Sequence, residues 1–422
     1  MSAEGRQQAG RRTGPTVALA VIGAVGALAL GVAFSRPDVM AGGLPLALWA
    51  ALALTRPGHS GVGVVVESSS GDDGRHLRDD VVIDSDAEIV EVALIQAERA
   101  QRRVFVAGRS RLEASSRALH SGPVISVEVA VRGLDADAGL LGAPQAPIAV
   151  VRAVQPVAHR LPRTPVAPRL TGLHGAHEGT RPGQGGDFRD IHPFAPGDEL
   201  RRVDWRATAR AARRPGELLI RRTDALSDAS AVIVMDTVED LGAVVATWGA
   251  VDLLRSGATS LDLARSAARA IAEATIAQGD RVAFHTLAHG GRSVRSGAGR
   301  RHLARVVAEI ASSGRAGDDA RFRRTPPVPH GSIIYVLSTF FDGAAAEIAT
   351  RWRAAGHRVV AVDTLPPLDR SRLTTERSLA LEVVLSERSD MLHQLRDAGV
   401  ETLTWSGDVD AQLAVLLRGG AR

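Results

Sequence analysis

The first sixty residues read as two long apolar runs separated by a polar tetrapeptide. Residues 1–16 are polar and carry Arg6, Arg11 and Arg12. Val17 to Phe34 is an 18-residue run without charge, Ser35-Arg36-Pro37-Asp38 breaks it, and Val39 to Leu54 is a second uncharged run before Arg56-Pro57-Gly58. A membrane-spanning helix takes about 20 apolar residues, with about 17 as the lower end. Residues 17–55 are therefore predicted as two transmembrane helices forming a hairpin that turns at Pro37, with Pro45 tolerable inside a membrane helix. A cleaved signal peptide is the rival reading of the first run, but no clear small-x-small cleavage site follows it. Arginines before the first run and after the second place both flanks, and the bulk of the chain, in the cytoplasm, as expected of a multi-pass protein of the cell membrane.

The pattern then shortens. Between residues 60 and 155, runs such as Val62–Val66, Val81–Ile83, Ile89–Leu94, Val104–Val106, Val124–Val131 and Ile148–Val151 are short and β-branched, with turn residues between them. That spacing predicts a small β-sandwich. Residues 156–170 are Pro-rich and predicted to be an extended, semi-rigid linker. From residue 231 to 422 strands alternate with helices: strands at 231–235, 281–287, 333–337, 358–362, 381–385 and 400–405, and helices at 261–279, 300–312, 343–355, 389–398 and 408–417. Such alternation predicts an α/β domain with a mostly parallel sheet covered on both faces.

Composition narrows the chemistry. All 51 basic residues are Arg and there is no Cys. Without Lys there is no Walker A lysine and no Schiff base; without Cys there is no thiol nucleophile, disulfide or Cys-based zinc site. No G-x-S-x-G elbow or H-E-x-x-H helix occurs. The net charge of +4 is mild for 422 residues.

The most unusual stretch lies at residues 171–230. Gly183-Gln184-Gly185-Gly186-Asp187-Phe188-Arg189-Asp190 is followed by Pro196-Gly197-Asp198-Glu199-Leu200-Arg201-Arg202-Val203-Asp204-Trp205 and then Ala209-Arg210. Pro-Gly-Asp is a turn by its own chemistry, and Arg and carboxylate pair bidentately. The stretch resembles the signature of the domain-of-unknown-function 58 family. Gly183, Gly185, Phe188, Arg189, Gly197, Asp198, Arg201, Asp204, Trp205, Ala209 and Arg210 fall on signature positions, Asp187 stands where Glu is usual, and Val203 where Ile is usual. The resemblance implies a von Willebrand factor A-like (Rossmann-like) domain over residues 231–422, an N-terminal membrane hairpin, and a MoxR-type AAA+ ATPase as partner. No reaction is attached to the family.

Three readings of this box stand side by side. Trp205 and Phe188 pack inward while Arg/Asp pairs staple the box to the sheet; or the box is a protein-docking surface, for which Trp and Arg are common anchors; or it binds anions. Ten Arg lie between Arg181 and Arg222, yet acids are interleaved, so no nucleic-acid partner is expected. His174, His177 and His192 form a conceivable zinc trio, and the glycines at 183–186 a conceivable phosphate loop lacking the strand–loop–helix setting.

The same resemblance raises a metal question. The von Willebrand A ion is held through D-x-S-x-S after the first strand, a Thr from another loop and a later Asp. Here the loop reads Asp236-Thr237-Val238-Glu239-Asp240, and Thr339 takes the later Asp position. Valine cannot ligate, so the site is degenerate; Asp236, Asp240 and Asp342 remain the set that would hold Mg²⁺, and otherwise no cofactor is expected. The expectation is a non-enzymatic, membrane-tethered adaptor working with the ATPase on an unknown client protein. The alternatives are a metal-dependent adhesion module, a nucleic-acid-binding protein or an unrecognised hydrolase.

Overall fold

The computed structural model describes residues 2–6, 11–56, 61–70, 74–96, 100–167, 177–248, 257–317 and 325–419. It divides into two compact units, residues 1–119 with 123–154, and residues 120–122 with 155–422.

The first unit starts with two short strands, β1 (Ser2–Arg6) and β2 (Arg11–Thr13), followed by two helices, α1 (Pro15–Ala33) and α2 (Pro37–Thr55). Each helix begins on a proline, where the missing N–H has no intrahelical partner to lose. Nineteen residues each make both helices long and apolar enough to cross a membrane; at 1.5 Å per residue that is about 28 Å. Leu19, Ile22 and Leu44 point outward, each about two-thirds exposed, while glycines mark the crossing. A Cβ on Gly31 would meet Met40, and one on Gly43 would meet Ala27 and the Ala24 carbonyl. Small residues at a close crossing are how apolar helices associate where lipid supplies no hydrophobic drive. Both open ends of the hairpin reach one turn. The Gly14 N–H donates to the Gly139 carbonyl at 2.9 Å, Thr16 Oγ1 donates to the Ala138 carbonyl at 2.8 Å, and Arg56 pairs with Asp137 at 2.6 Å.

The β-rich part comprises β3 (Val62–Ser70), β4 (His76–Gln96), β5 (Ala100–Arg117), β6 (Gly122–Leu134), β7 (Leu140–Gly142) and β8 (Ile148–Val154). The expected pair of packed sheets is instead one continuous sheet of eight strands that includes β1 and β2, so residues 1–16 are not merely a tail. Strand β4 explains this. Its first half pairs with β3, its second half with β6, and β5 runs along both, with the register broken between Asp84 and Ile89. A break of that kind lets one long strand bend. Its alternating inward residues, Val81, Ile83, Val90 and Val92, meet Val62, Val64, Val127 and Val129 in a single core.

In the second unit, residues 155–167 form no regular element but are not a free spacer. Leu161 and Ala167 are buried in the main core, and Thr164 exchanges hydrogen bonds with Gln278. The box follows as a two-stranded antiparallel ribbon, β9 (His177–Pro193) with β10 (Leu219–Ser227), enclosing a 3-10 turn at Leu200–Arg202 and the short helix α3 (Trp205–Ala211).

The sheet region contains β11 (Ser230–Met235), α4 (Ser260–Ala277), β12 (Arg281–Thr286), β13 (Ser293–Gly297), α5 (Arg300–Ser312), β14 (Ile333–Ser338), α6 (Ala344–Ala354), β15 (Arg358–Asp363), α7 (Thr375–Asp397), β16 (Glu401–Thr404) and α8 (Val409–Gly419). The order is β13-β12-β11-β14-β15-β16, parallel except for β13. Alternate residues of β11 serve opposite faces. Ala231, Ile233 and Met235 join α4, α5 and α8, whereas Val232 and Val234 join α6 and α7. One expectation fails: residues 381–385 are not a strand, and with 389–398 they belong almost wholly to the single helix α7. A second element, β13, is an edge strand that the polar sequence Ser293–Gly297 does not announce.

Candidate functional site

The box is built by local chemistry. Gly197 has φ near +100°, a conformation that suits Gly, and the Asp198 N–H closes the turn onto the Ala195 carbonyl at 3.0 Å. Asp198 also accepts from the Ala195 N–H at 2.8 Å. Asp204 caps α3, accepting from the Ala207 N–H at 2.8 Å, while its own N–H donates to the Leu219 carbonyl. Thr208 accepts from the Leu219 N–H at 3.0 Å, so α3 is pinned to β10. Glu217 accepts from the Arg213 and Arg214 N–H groups. Val203, Leu219 and Ile220 are the buried floor. Gly197, Asp198 and Asp204 are thus framework.

What this framework presents is unusual. Trp205 is 67% exposed, Leu200 65% and Phe188 53%, with Ile191 and Phe194 also open. The inward-packed reading of Trp205 and Phe188 is therefore overturned. Phe188 sits where β9 loops away: one step on β10, Arg222 to Thr223, spans Asp190 to Gly183 on β9. The Arg221 guanidinium stacks on the Phe188 ring at 5.4 Å. Arg201 pairs with Glu199 at 2.5 Å but remains 70% exposed. Arg210 is exposed and makes no side-chain hydrogen bond or ion pair among the described residues. The side chain of Arg189 lies outside the described residues. Between these groups opens a cleft of about 690 Å³ lined by Arg201, Arg202, Val203, Asp204, Trp205, Arg221 and Thr223.

The second candidate is the C-terminal edge of the parallel sheet. Strand order reverses between β11 and β14, which is where open α/β sheets bind ligands. Asp236, at the end of β11, accepts from Ser338 Oγ at 2.7 Å and from the Val238 N–H at 3.1 Å. Burial, only partly offset by those two hydrogen bonds, pushes its carboxyl up to about 6. Glu239 accepts from Thr339 Oγ1 at 2.8 Å and is raised by burial as well. Asp240 turns away into the start of α4, accepting from the Leu261 N–H at 3.2 Å, and burial raises it too. The buried Arg265 guanidinium, donating to the Ser313 carbonyl at 2.9 Å, lies near enough to Asp240 to act on it as a counter-charge. Asp342 accepts from the Ala344 N–H.

The residues do not fit the expected ion. Asp236, Asp240 and Asp342 answer three different partners, and no group of three or more His, Cys, Asp or Glu that could hold a metal occurs among the described residues. The zinc trio fails on placement. His177 pairs with Asp280 at one end of β9, His192 faces the Pro193 carbonyl and Arg222 at the other, and His174 lies outside the described residues. The glycine run of residues 183–186 sits within β9 rather than on a helix N-terminus. The sequence reading singled out Thr339 only as a substitute for an ion ligand, and it missed two other groups that organise this edge: Ser338, and Arg388, which donates to the Thr339 carbonyl at 2.6 Å and pairs with Asp363. The signal for Arg388 was hidden because it was placed beyond a strand that does not exist.

Residues 190–381 match the family described as "Protein of unknown function DUF58". The match takes in Asp198, Arg201, Asp204, Trp205 and Arg210 as well as the sheet edge, and starts just after Phe188 and Arg189. Uncharacterised proteins of Mycobacterium tuberculosis and Mycobacterium bovis are 30% identical over 216 residues, covering 48% of this chain and 63% of their own length. The chain therefore matches less than two thirds of the length of those relatives.

Proposed function

We propose that the chain is a membrane-tethered protein-binding adaptor whose exposed box docks a MoxR-type AAA+ ATPase, acting with it on a client protein. The single observation that carries this reading is Trp205, 67% exposed at the mouth of an arginine-lined cleft although rigid framework surrounds it. Large aromatics and arginines on a pre-formed surface are the usual anchors of protein interfaces. The tether is the α1–α2 hairpin. Its two ends meet the same turn at residues 137–139, which supports an even number of crossings with both flanks on one side, the cytoplasmic one by the arginine distribution. The strand order, with one antiparallel edge strand, supports a von Willebrand factor A-like reading of residues 231–422. In this reading the domain serves docking rather than metal binding or catalysis, with Asp236, Glu239 and Asp240 at its sheet edge engaged by donors of the same domain.

The test is co-purification of the full chain, in nonionic detergent, with the MoxR-type ATPase of its own cell, with and without ATP. A nucleotide-dependent complex supports the adaptor reading. Well-folded protein that forms no complex in any nucleotide state overturns it.

A further inference from the structure

Within the box, the segment from Phe188 to Thr223 is uneven in charge as well as in polarity. From Phe188 to Thr223 there are nine arginines and five acids. Four of those acids are already engaged within the box. Asp198 takes the Ala195 N–H, Asp204 caps α3, Glu217 takes the Arg213 and Arg214 N–H groups, and Glu199 holds Arg201. On the other side, Arg206, Arg210, Arg213 and Arg214 are exposed, and their side chains make no hydrogen bond or ion pair among the described residues. Among the described residues, Arg221 has only the face of Phe188. Among the described residues, Arg206, Arg210, Arg213 and Arg214 therefore present guanidiniums with no paired anion, beside an exposed indole and isobutyl group that water solvates poorly.

We infer that the cleft between Arg201, Trp205 and Arg221 takes an acidic segment of a partner protein in which carboxylates alternate with apolar side chains. This deepens the docking role proposed above and rests on it. Charge complementarity fixes the sign of the occupant: against a neutral surface Arg221 in the cleft, and Arg206 and Arg210 on the helix that carries Trp205, would be buried as unpaired fork-shaped donors, whereas carboxylates satisfy them bidentately. The apolar groups fix the rest. Leu200 and Ile191 are aliphatic and offer nothing to a phosphodiester or a base, so a nucleic acid would leave them in water. An anionic bilayer surface would meet the Asp204 carboxylate in the same opening as Trp205 and Arg221, next to Glu199 on Arg201, whereas a peptide can place its own acidic and apolar groups one by one. A peptide strand carrying Asp or Glu beside Leu or Phe fills both kinds of position.

The full chain, reconstituted in phosphatidylcholine nanodiscs, is titrated into a fluorescein-labelled peptide of alternating aspartate and leucine, and anisotropy is followed at low and high salt. Expected is saturable binding that weakens as salt rises, with an asparagine–leucine counterpart and the variants Arg221→Gln and Arg201→Gln each at least about tenfold weaker. Trp205→Ala, which removes an exposed side chain and leaves the floor intact, weakens it as well. Equal binding of the asparagine–leucine peptide overturns the inference. So does displacement of the peptide by single-stranded DNA or by phosphatidylglycerol vesicles at lower concentration. Either result leaves the ATPase co-purification untouched, so failure of the acidic occupant is distinguishable from failure of the docking role.

Discussion

Asp236 and Trp205 stand for two kinds of residue in this chain, one closed in and one held out. Asp236 is 9% exposed, and its carboxyl is raised from the ordinary 3.8 to about 6 by burial. Between those two values the folded chain binds a proton the unfolded chain has released, so stability falls as pH rises from about 4 to 6. The full effect is on the order of 3 kcal/mol at neutral pH. Unfolding by denaturant at pH 4 to 7 should show this slope, and Asp236→Asn should flatten it; an unchanged slope in the variant would assign the proton elsewhere. Trp205→Ala should move the melting temperature little, because the indole buries so little surface. Asp204→Ala, by contrast, removes a helix cap and should cost about 1 kcal/mol. Thermal melts of the two variants separate the exposed anchor from the framework residue beside it. The sequence marked both positions through the signature but did not distinguish their roles, because a cap and an anchor are told apart only by which way each side chain turns.

At the scale of elements, the apolar pattern was a good guide where it was either a one-faced helical period, as in α4, or a short continuous run buried on both faces, as in the central strands. Helix α4 and strands β11, β14 and β15 fall within a residue or two of their predicted bounds for that reason. It misled at α7. Leu379, Leu381, Val383 and Val384 make a short apolar run that reads as a strand, yet only Leu381 among them is buried, and Leu379 is 70% exposed. The helix is held instead by its Thr374 cap and by Leu395 near its far end. A proline tests this directly. Val383→Pro interrupts the middle of α7 and should cost about 3 kcal/mol with loss of helical circular dichroism; an unaffected spectrum would restore the strand. The β-rich part was legible as short strands but not as one sheet, since nothing local to residues 76–96 says that one strand will serve two neighbours in succession.

At the scale of the whole molecule, the polar segment before α1 and the arginine after α2 were read only as charge flanks. The structure makes them attachment points, since Gly14 and Arg56 both reach the 137–139 turn. Removing residues 15–55 and joining Gly14 to Arg56 through a short glycine linker should therefore leave β1, β2 and the sheet in place and move the protein from the membrane to the soluble fraction. Fractionation with a circular dichroism check decides it, and a product that stays in the membrane pellet while folded would remove the hairpin as the tether. The linker at 155–167 belongs to the same lesson: prolines predicted an extended chain, and only packing shows that Leu161 and Ala167 are part of the core.

The central claim is that the exposed box is where a partner binds. The most direct measurement is the affinity of the nanodisc-reconstituted chain for the MoxR-type ATPase in the presence of ATP, taken for the wild type and for Trp205→Ala at matched melting temperature. An interface anchor of this kind should cost at least about 2 kcal/mol, a roughly 30-fold loss. Equal affinities in the two proteins would contradict the claim and move the interface away from the box.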